Sequence, residues 1–184
     1  MHRRHLIAAG AALAIAGLPV LAQPWPALGP DGIVLFRHAD APGTGDPPQF
    51  RLGDCGTQRN LGERGRAQAQ ALGARFRAAN IAVGQVLSSQ WCRTRDTAEL
   101  AFPGRVQEAP AFNSFFNEDA AQSERQTAAA RAVLAAWRGP GVLVVVTHQV
   151  NITALTGIFP ASGEGSVVRA VPAGGVEVVG RLPP

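Results

Sequence analysis

Short apolar runs alternate with helical stretches along this chain, and this alternation limits the folds that the chain can adopt. The most hydrophobic run extends over residues 141–146, and a second run, 32–36, lies near the start of the domain. Continuous apolar runs of this length are typical of strands that are covered on both faces of a parallel sheet. With 184 residues, the chain is predicted to form a single-domain three-layer α/β sandwich, with a mostly parallel central sheet and helices on both faces.

Turn and cap signals place the remaining elements of this sandwich. Asn60 with Glu63 three positions later has the pattern of a capping box, so a helix is expected to begin there. Further helices are predicted at 92–102, 122–138 and 150–158, and further strands at 83–88, 167–171 and 176–179, the last two as late strands or a hairpin.

The first residues predict an export signal rather than part of the fold. Arg3 and Arg4 precede an uncharged stretch, 6–22, that ends in small residues before a cut at Gln23. The alternative, a membrane anchor, is less favoured because the stretch is short and is interrupted by Pro19. We expect residues 1–22 to be a signal peptide, exported by the general or twin-arginine route, and residues 23–184 to be a periplasmic domain without a membrane span.

Composition excludes several classes of protein. All 17 cationic residues are arginine, so the chain has no lysine for a P-loop or a Schiff base. Two cysteines cannot form a four-thiolate zinc site. Two of the arginines leave with the signal, so 15 remain against 13 acids, and their scattered positions do not suggest nucleic-acid binding. The serines lack the nucleophile-elbow pattern of serine hydrolases.

Signal removal would leave two histidines, and both follow predicted strands. His38 comes directly after the first strand and His148 directly after the central strand. Ligands bind beyond the carboxyl ends of such strands, although either histidine alone would more often be structural. Arg37 precedes His38, and Arg93 lies in a polar turn after the second strand. Because arginine binds tetrahedral oxyanions in a bidentate manner and imidazole can act as a nucleophile, these four residues predict a phosphate pocket.

Four segments resemble elements of the histidine phosphatase superfamily, which includes the phosphoglycerate mutases. They occur in the family's order: Arg37-His38-Ala39 is similar to its Arg-His-Gly signature, 61–69 to its first helix, 89–98 to its Ser-x-x-x-Arg-x-x-x-Thr-Ala element, and 144–148 to its second histidine motif. The chain departs from the family at Ala39, which replaces glycine, and at Gln149, which follows His148 where glycine is common.

This resemblance implies a phosphoglycerate-mutase-like domain over residues 23–184 and a phosphatase for phosphate monoesters. His38 would become a phosphohistidine, while Arg37, Arg93 and His148 hold the phosphate oxygens. Thr44 stands where many members have a phosphate-binding asparagine, and we expect it to contact substrate. No metal or other cofactor is expected, since both histidines are committed to phosphate and the arginines repel divalent cations.

The catalytic acid is left open by the sequence. The family's acid lies in the loop after the second helix, where Glu118 and Asp119 are the candidates, with Glu118 preferred and Glu108 as a third choice. Two other functions are kept as alternatives: a mutase-like phosphotransferase and a non-catalytic protein that binds a phosphorylated ligand. The expected substrate is a small phosphomonoester or a phosphorylated glycan, and the sequence does not determine the oligomeric state.

The two cysteines, Cys55 and Cys92, are predicted to form a disulfide. Export would place the chain where disulfides persist, and an even count suits a bridge, although two separate buried thiols are the alternative. The Asp-Cys and Gln-Arg-Asn-Leu context of residues 54–61 resembles an exported bacterial subgroup that includes proteins similar to lipopolysaccharide core heptose phosphatases.

Overall fold

A computed structural model describes residues 28–29, 31–171 and 174–184; the predicted signal peptide, 1–22, lies outside them. Six strands are described: β1 (Ile33–Arg37), β2 (Val83–Ser88), β3 (Val106–Glu108), β4 (Val142–Thr147), β5 (Gly165–Val171) and β6 (Gly175–Leu182). The four α-helices are α1 (Glu63–Ala78), α2 (Cys92–Ala101), α3 (Ala120–Ala136) and α4 (Gln149–Thr156). None of the described helices is both long and apolar enough to cross a membrane.

The strands form one mixed sheet in the order β3-β2-β4-β1-β5-β6. The first four of these neighbours pair in parallel, whereas β5 and β6 form an antiparallel hairpin beside β1. The prediction of a mostly parallel central sheet is therefore confirmed. The short strand β3 lies at the edge of the sheet, where its residues are largely exposed.

Alternating side chains of the central strands build two separate cores. On one face, Phe36 and its neighbours pack with Phe76 of α1 and Phe102 beyond α2. On the other face, Leu35 packs in a cluster that includes Leu134 of α3 and Ile152 of α4. The layers are thus helices, sheet and helices, as the continuous apolar strands indicated.

Two helix starts differ from the expectation. Asn60 does not cap α1, because its side-chain amide donates to the carbonyls of Cys55 and Gln58 in the preceding loop, and Gly62 takes the N-cap position instead. Helix α3 begins two residues before the predicted start, since the Asp119 carboxylate accepts a hydrogen bond of 2.7 Å from the Gln122 amide. Asp119 is thereby engaged as a cap.

Candidate active site

The register of the sheet brings the two histidines to one edge. Arg37, at the end of β1, pairs with Thr147 at the end of β4, so the residues that follow leave the sheet side by side. The ring centroids of His38 and His148 are 5.6 Å apart, and each residue is only 3% exposed. Both line a cleft of about 260 Å³ together with Arg37, Arg93 and Thr44. The five residues that the sequence predicted for the phosphate site are therefore neighbours.

One hydrogen bond holds the His38 ring in a single tautomer. Its Nδ1 lies 2.8 Å from the carbonyl oxygen of Ala39, which can only accept, so Nδ1 carries the proton and Nε2 carries the lone pair. The Ala39 amide in turn donates to the Thr97 hydroxyl of α2 at 3.0 Å. Burial, reinforced by the nearby guanidinium of Arg93, lowers the pKa of His38 to about 3. The imidazole is neutral at physiological pH and has a nucleophilic nitrogen.

His148 is held between a hydroxyl and a guanidinium. Its Nε2 lies 2.8 Å from the Ser89 hydroxyl, and an Nη2 hydrogen of Arg93 points to its Nδ1 at 3.4 Å. Since arginine can only donate, Nδ1 is the acceptor and Nε2 carries the proton. Burial, followed by the charge of Arg93, lowers the pKa of His148 well below its usual value. His148 is therefore a second neutral imidazole that helps to orient Arg93.

A carboxylate that the sequence reasoning missed contacts the centre of this site. The Asp46 carboxylate receives bidentate hydrogen bonds from Arg93, at 2.6 and 3.2 Å, and a third from the Trp91 indole at 2.9 Å. Burial alone would raise the pKa of Asp46, but the hydrogen bonds from Arg93 and Trp91 outweigh it, so the pKa is lowered. Nothing in the sequence distinguishes this aspartate from the other polar residues of its Pro- and Gly-rich loop.

Two further guanidinium groups line the cleft. Arg37 donates from Nη1 to the Pro160 carbonyl at 3.0 Å. Arg59, which was not singled out from the sequence, donates from Nε to the Gly45 carbonyl at 2.7 Å and from Nη1 to the Ala41 carbonyl. Burial and the like charge of Arg93 lower the pKa of both arginines. The concentration of positive charge suits a dianionic ligand.

The buried Nε atoms of Arg37 and Arg93 have no hydrogen-bond partner among the described residues. Buried polar groups are normally satisfied, so each unsatisfied donor in a native site calls for an explanation. Both guanidinium groups line the cleft, where a bound anion would compensate their charge.

The loop between β1 and α1 covers one side of the cleft. Gly43 and Gly45 adopt φ values of +90° and +68°, a region that favours glycine, and they place the exposed Thr44 between them at the cleft wall. The predicted disulfide between Cys55 and Cys92 is present, with a Cα–Cα distance of 5.7 Å. It attaches this loop to the start of α2, next to Arg93.

The three acids predicted as candidate proton donors lie outside the set of residues that line the cleft. Glu118 is an exposed residue of the loop before α3, two positions beyond Phe116, which does line the cleft. Asp119 caps α3, and Glu108 binds Arg95 at 3.2 Å. The role of Glu118 stays a prediction.

Residues 33–115 match the sequence model of the histidine phosphatase superfamily, branch 1. Over this segment the chain is similar to the histidine phosphatase superfamily. The predicted family and enzyme class are thus confirmed at this level, and the matched segment includes Arg37, His38, Thr44 and Arg93 of the predicted phosphate site together with Asp46 and Arg59. No curated protein sequence matches the chain.

Solved structures of phosphatases share the fold. The protein histidine phosphatase SixA, complexed with tungstate, superposes with a TM-score of 0.56 at 15% identity, covering 83% of this chain and 96% of that one. The alpha-ribazole phosphatase of Shigella flexneri has a TM-score of 0.56 at 19% identity, with 80% and 94% covered. A phosphoserine phosphatase mutant of Entamoeba histolytica, in complex with phosphoserine, has a TM-score of 0.56 at 12% identity, with 82% and 95% covered.

A larger cavity, of about 940 Å³, lies at the opposite end of the sheet, beside Ile33 at the start of β1. Neither His38 nor His148 lines it, so it offers no imidazole nucleophile. Within the described ranges, no group of three or more His, Cys, Asp or Glu side chains could hold a metal ion. The cleft at the ends of β1 and β4 is therefore the candidate active site.

Proposed function

We propose that this histidine phosphatase is exported and hydrolyses phosphate monoesters through a phosphohistidine on His38. The observation that carries the proposal is the state of His38: a neutral ring, held by the Ala39 carbonyl, beside a cluster of guanidinium groups. A neutral imidazole can attack phosphorus, and the cations compensate the charge of the phosphoryl group.

The reaction then has two balanced steps. In the first, Nε2 of His38 attacks phosphorus, the N–P bond forms, and the P–O bond to the alcohol breaks while the leaving oxygen takes a proton. In the second, water attacks the phosphohistidine, loses a proton to a base, and releases inorganic phosphate with the neutral ring restored. No metal takes part in either step of this proposal.

The cationic residues act in both steps. The guanidinium groups of Arg37 and Arg93, which line the cleft, would bind phosphate oxygens, and Thr44 would contact the substrate from the loop above. His148 would act through Arg93, since its Nδ1 accepts from Nη2 and so helps to keep that guanidinium in place beside the phosphate. Preorganised donors of this kind stabilise the charge that develops in the transition state.

We assign the leaving-group proton to Glu118, as the resemblance implies, because its loop also contributes Ser114 and Phe116 to the cleft wall. Asp46 is less suited to that task, since Arg93 and Trp91 keep it ionised. Its bidentate contact instead holds the plane of the Arg93 guanidinium.

Export to the periplasm is supported by the signal-like residues 1–22 and by the disulfide, since disulfides persist in oxidising compartments. The substrate class remains a small phosphomonoester or a phosphorylated glycan. The heptose phosphates of lipopolysaccharide stay a prediction from sequence resemblance. The phosphatases of the same fold bear names that refer to chemically different substrates, so the fold alone does not choose among them.

Phosphate release from p-nitrophenyl phosphate in the presence of EDTA tests the proposal. Turnover should continue in EDTA, and rapid quenching with ³²P-labelled substrate should place the label on His38. A protein that only binds phosphorylated ligands would bind vanadate and release no phosphate. A mutase-like phosphotransferase would pass the label to an added alcohol in preference to water. Loss of activity on chelation, restored by zinc or magnesium, would contradict the metal-free mechanism.

A further inference from the structure

Aromatic side chains stand exposed at the mouth of the catalytic cleft. Four large hydrophobic residues are exposed among the described ranges: Leu52, Phe116, Phe159 and Val179. Phe159 is 70% exposed and Phe116 is 56% exposed, and both line the same cleft as His38. Large apolar side chains concentrated at a functional cleft indicate a surface that is covered when the ligand binds.

Contacts with the catalytic elements hold both phenylalanines at this mouth. Phe159 precedes the buried Pro160, whose carbonyl accepts the hydrogen bond from Arg37. Phe116 follows Asn113, whose carbonyl accepts from the Asn151 amide of α4 at 3.0 Å. Phe159 thus follows the C-terminal end of α4, whereas Phe116 lies on the loop before α3, and Val150 of α4 lines the cleft with them.

Phe116 and Phe159 form an apolar rim of the cleft, and the charged part of the cleft is separate from this rim. Arg37, Arg59 and Arg93 all lie close enough to His38 to lower its pKa, so they surround the position of one phosphate. Polar side chains in the remaining wall are partly committed: Asp46 to Arg93, and Gln149 to Thr153 at 2.8 Å. Thr44 and Ser114 are the other polar residues of the wall, and the exposed Phe116 and Phe159 offer the part of the substrate beyond the phosphate an apolar surface beside them.

We propose that the substrate is the phosphate monoester of an apolar alcohol or phenol, with the apolar group lying against Phe116 and Phe159. This inference rests on the proposed function, because it assigns the leaving group of that same reaction. A sugar or a second anionic group in this position would lose water without gaining matched hydrogen bonds, whereas an alkyl or aryl group gains from leaving water.

Alkylphosphonates test this without turnover. Their C–P bond is not cleaved by attack of His38, so the Kd of the wild-type protein for ethyl- and hexylphosphonate isolates the contribution of the rim. We expect hexylphosphonate to bind at least about tenfold more tightly, a modest part of the gain that four buried methylene groups provide. In a Phe116→Ala/Phe159→Ala variant, the two Kd values should converge. Val179→Ala, which removes an exposed apolar side chain from β6, is the matched control and should keep the tenfold difference.

Equal affinity of the wild-type protein for both phosphonates would overturn the inference, and so would a double variant that keeps the preference. Steady-state kinetics add a second measure: kcat/KM should be higher for hexyl phosphate than for glucose 6-phosphate or a heptose phosphate. A higher value for either sugar phosphate would also overturn it. Failure of this inference can be distinguished from failure of the proposed reaction. Hydrolysis of every ester without an apolar preference contradicts only the inference that the rim binds an apolar group. Tight hexylphosphonate binding without any hydrolysis contradicts only the proposed reaction.

Discussion

The buried end of the cleft and its rim are built in different ways. At the buried end, His38 and His148 directly follow parallel strands, and Arg93 lies in the first turn of α2, where hydrogen bonds fix each side chain. At the rim, Thr44, Phe116 and Phe159 lie on loops and are exposed to solvent. The buried end is held by the sheet, whereas the rim lies on loops, and the disulfide attaches the loop that carries Thr44.

This difference separates chemistry from selection of the substrate. Nucleophilic attack needs a reacting nitrogen and cations at fixed positions, which strand ends provide. Selection of a leaving group needs a surface that can change without disturbing those positions, which loops provide. Variants at the buried end should therefore lower kcat, and variants at the rim should change KM and the choice of substrate.

The largest effect is expected for His38→Ala. Loss of the nucleophile should lower kcat for p-nitrophenyl phosphate by about 10⁴-fold or more, since no other group can form the covalent intermediate. His148→Ala, which removes only a stabilising contact, should cost on the order of 100-fold. Phosphate release measures both, with circular dichroism as the check on folding. Residual label on a serine or on His148 in the His38 variant would contradict the assignment.

The disulfide carries the next effect. A Cys55→Ser/Cys92→Ser variant removes a bridge between two residues that are 37 positions apart in the sequence. In the chain-entropy model, the free energy of unfolding should fall by roughly 3–4 kcal/mol. Urea denaturation measures this, and wild-type protein with its disulfide reduced should behave like the variant. KM should rise more than kcat falls if the bridge serves the rim. An unchanged urea midpoint would contradict the stabilising role of the bridge. A loss confined to kcat would contradict the assignment of the bridge to the rim.

Glu118→Gln tests the proton donor. Hydrolysis of an alkyl phosphate should fall by about 100-fold, while p-nitrophenyl phosphate, whose leaving group needs little protonation, should be nearly unaffected. Glu124→Gln, an exposed change on α3, is the matched control. A silent Glu118 variant would move the role to another carboxylate, and Asp46→Asn and Asp119→Asn would then be measured in the same way.

Arg93 can be compared with an arginine two positions away on the same helix. Arg93→Gln should lower kcat/KM by about 100-fold, because a buried donor to the phosphate is lost. The side chain of Arg95 is 43% exposed and pairs with Glu108, so Arg95→Gln should change kcat/KM by less than about twofold. Similar losses in the two variants would mean that general positive charge, and not the geometry of the cleft, holds the phosphate.

The last effect concerns pH. The folded pKa of His38 is about 3, below the usual unfolded value of about 6.5, so the unfolded chain binds more protons between these values. Stability should therefore fall as the pH decreases from about 6.5 toward 3, by up to about 1.4 kcal/mol per pH unit for each such histidine. His38→Gln should show a shallower decrease in urea titrations. A nuclear magnetic resonance titration of His38 with a midpoint near 6.5 would contradict the neutral, buried ring.

Local patterns in the sequence were sufficient for the architecture and for most of the buried end. Apolar runs and turn residues determined the central strands, and the residue after each strand end determined His38 and His148, because parallel strands must place their carboxyl ends at one edge. With two cysteines in the chain, the disulfide had one pairing. These features depend on the periodicity of apolar residues or on the number of cysteines, and both can be determined from the sequence without knowledge of the fold.

The tertiary structure alone decided the rest of the site. Asp46 reaches Arg93 across 47 positions, Arg59 closes its own loop on Gly45, and Asn60 bonds to that loop instead of capping α1. Phe116 and Phe159, 43 positions apart in the sequence, meet at one cleft. A loop without periodicity takes its conformation from partners that are distant in sequence, and which polar or aromatic side chain finds which partner depends on how the layers pack.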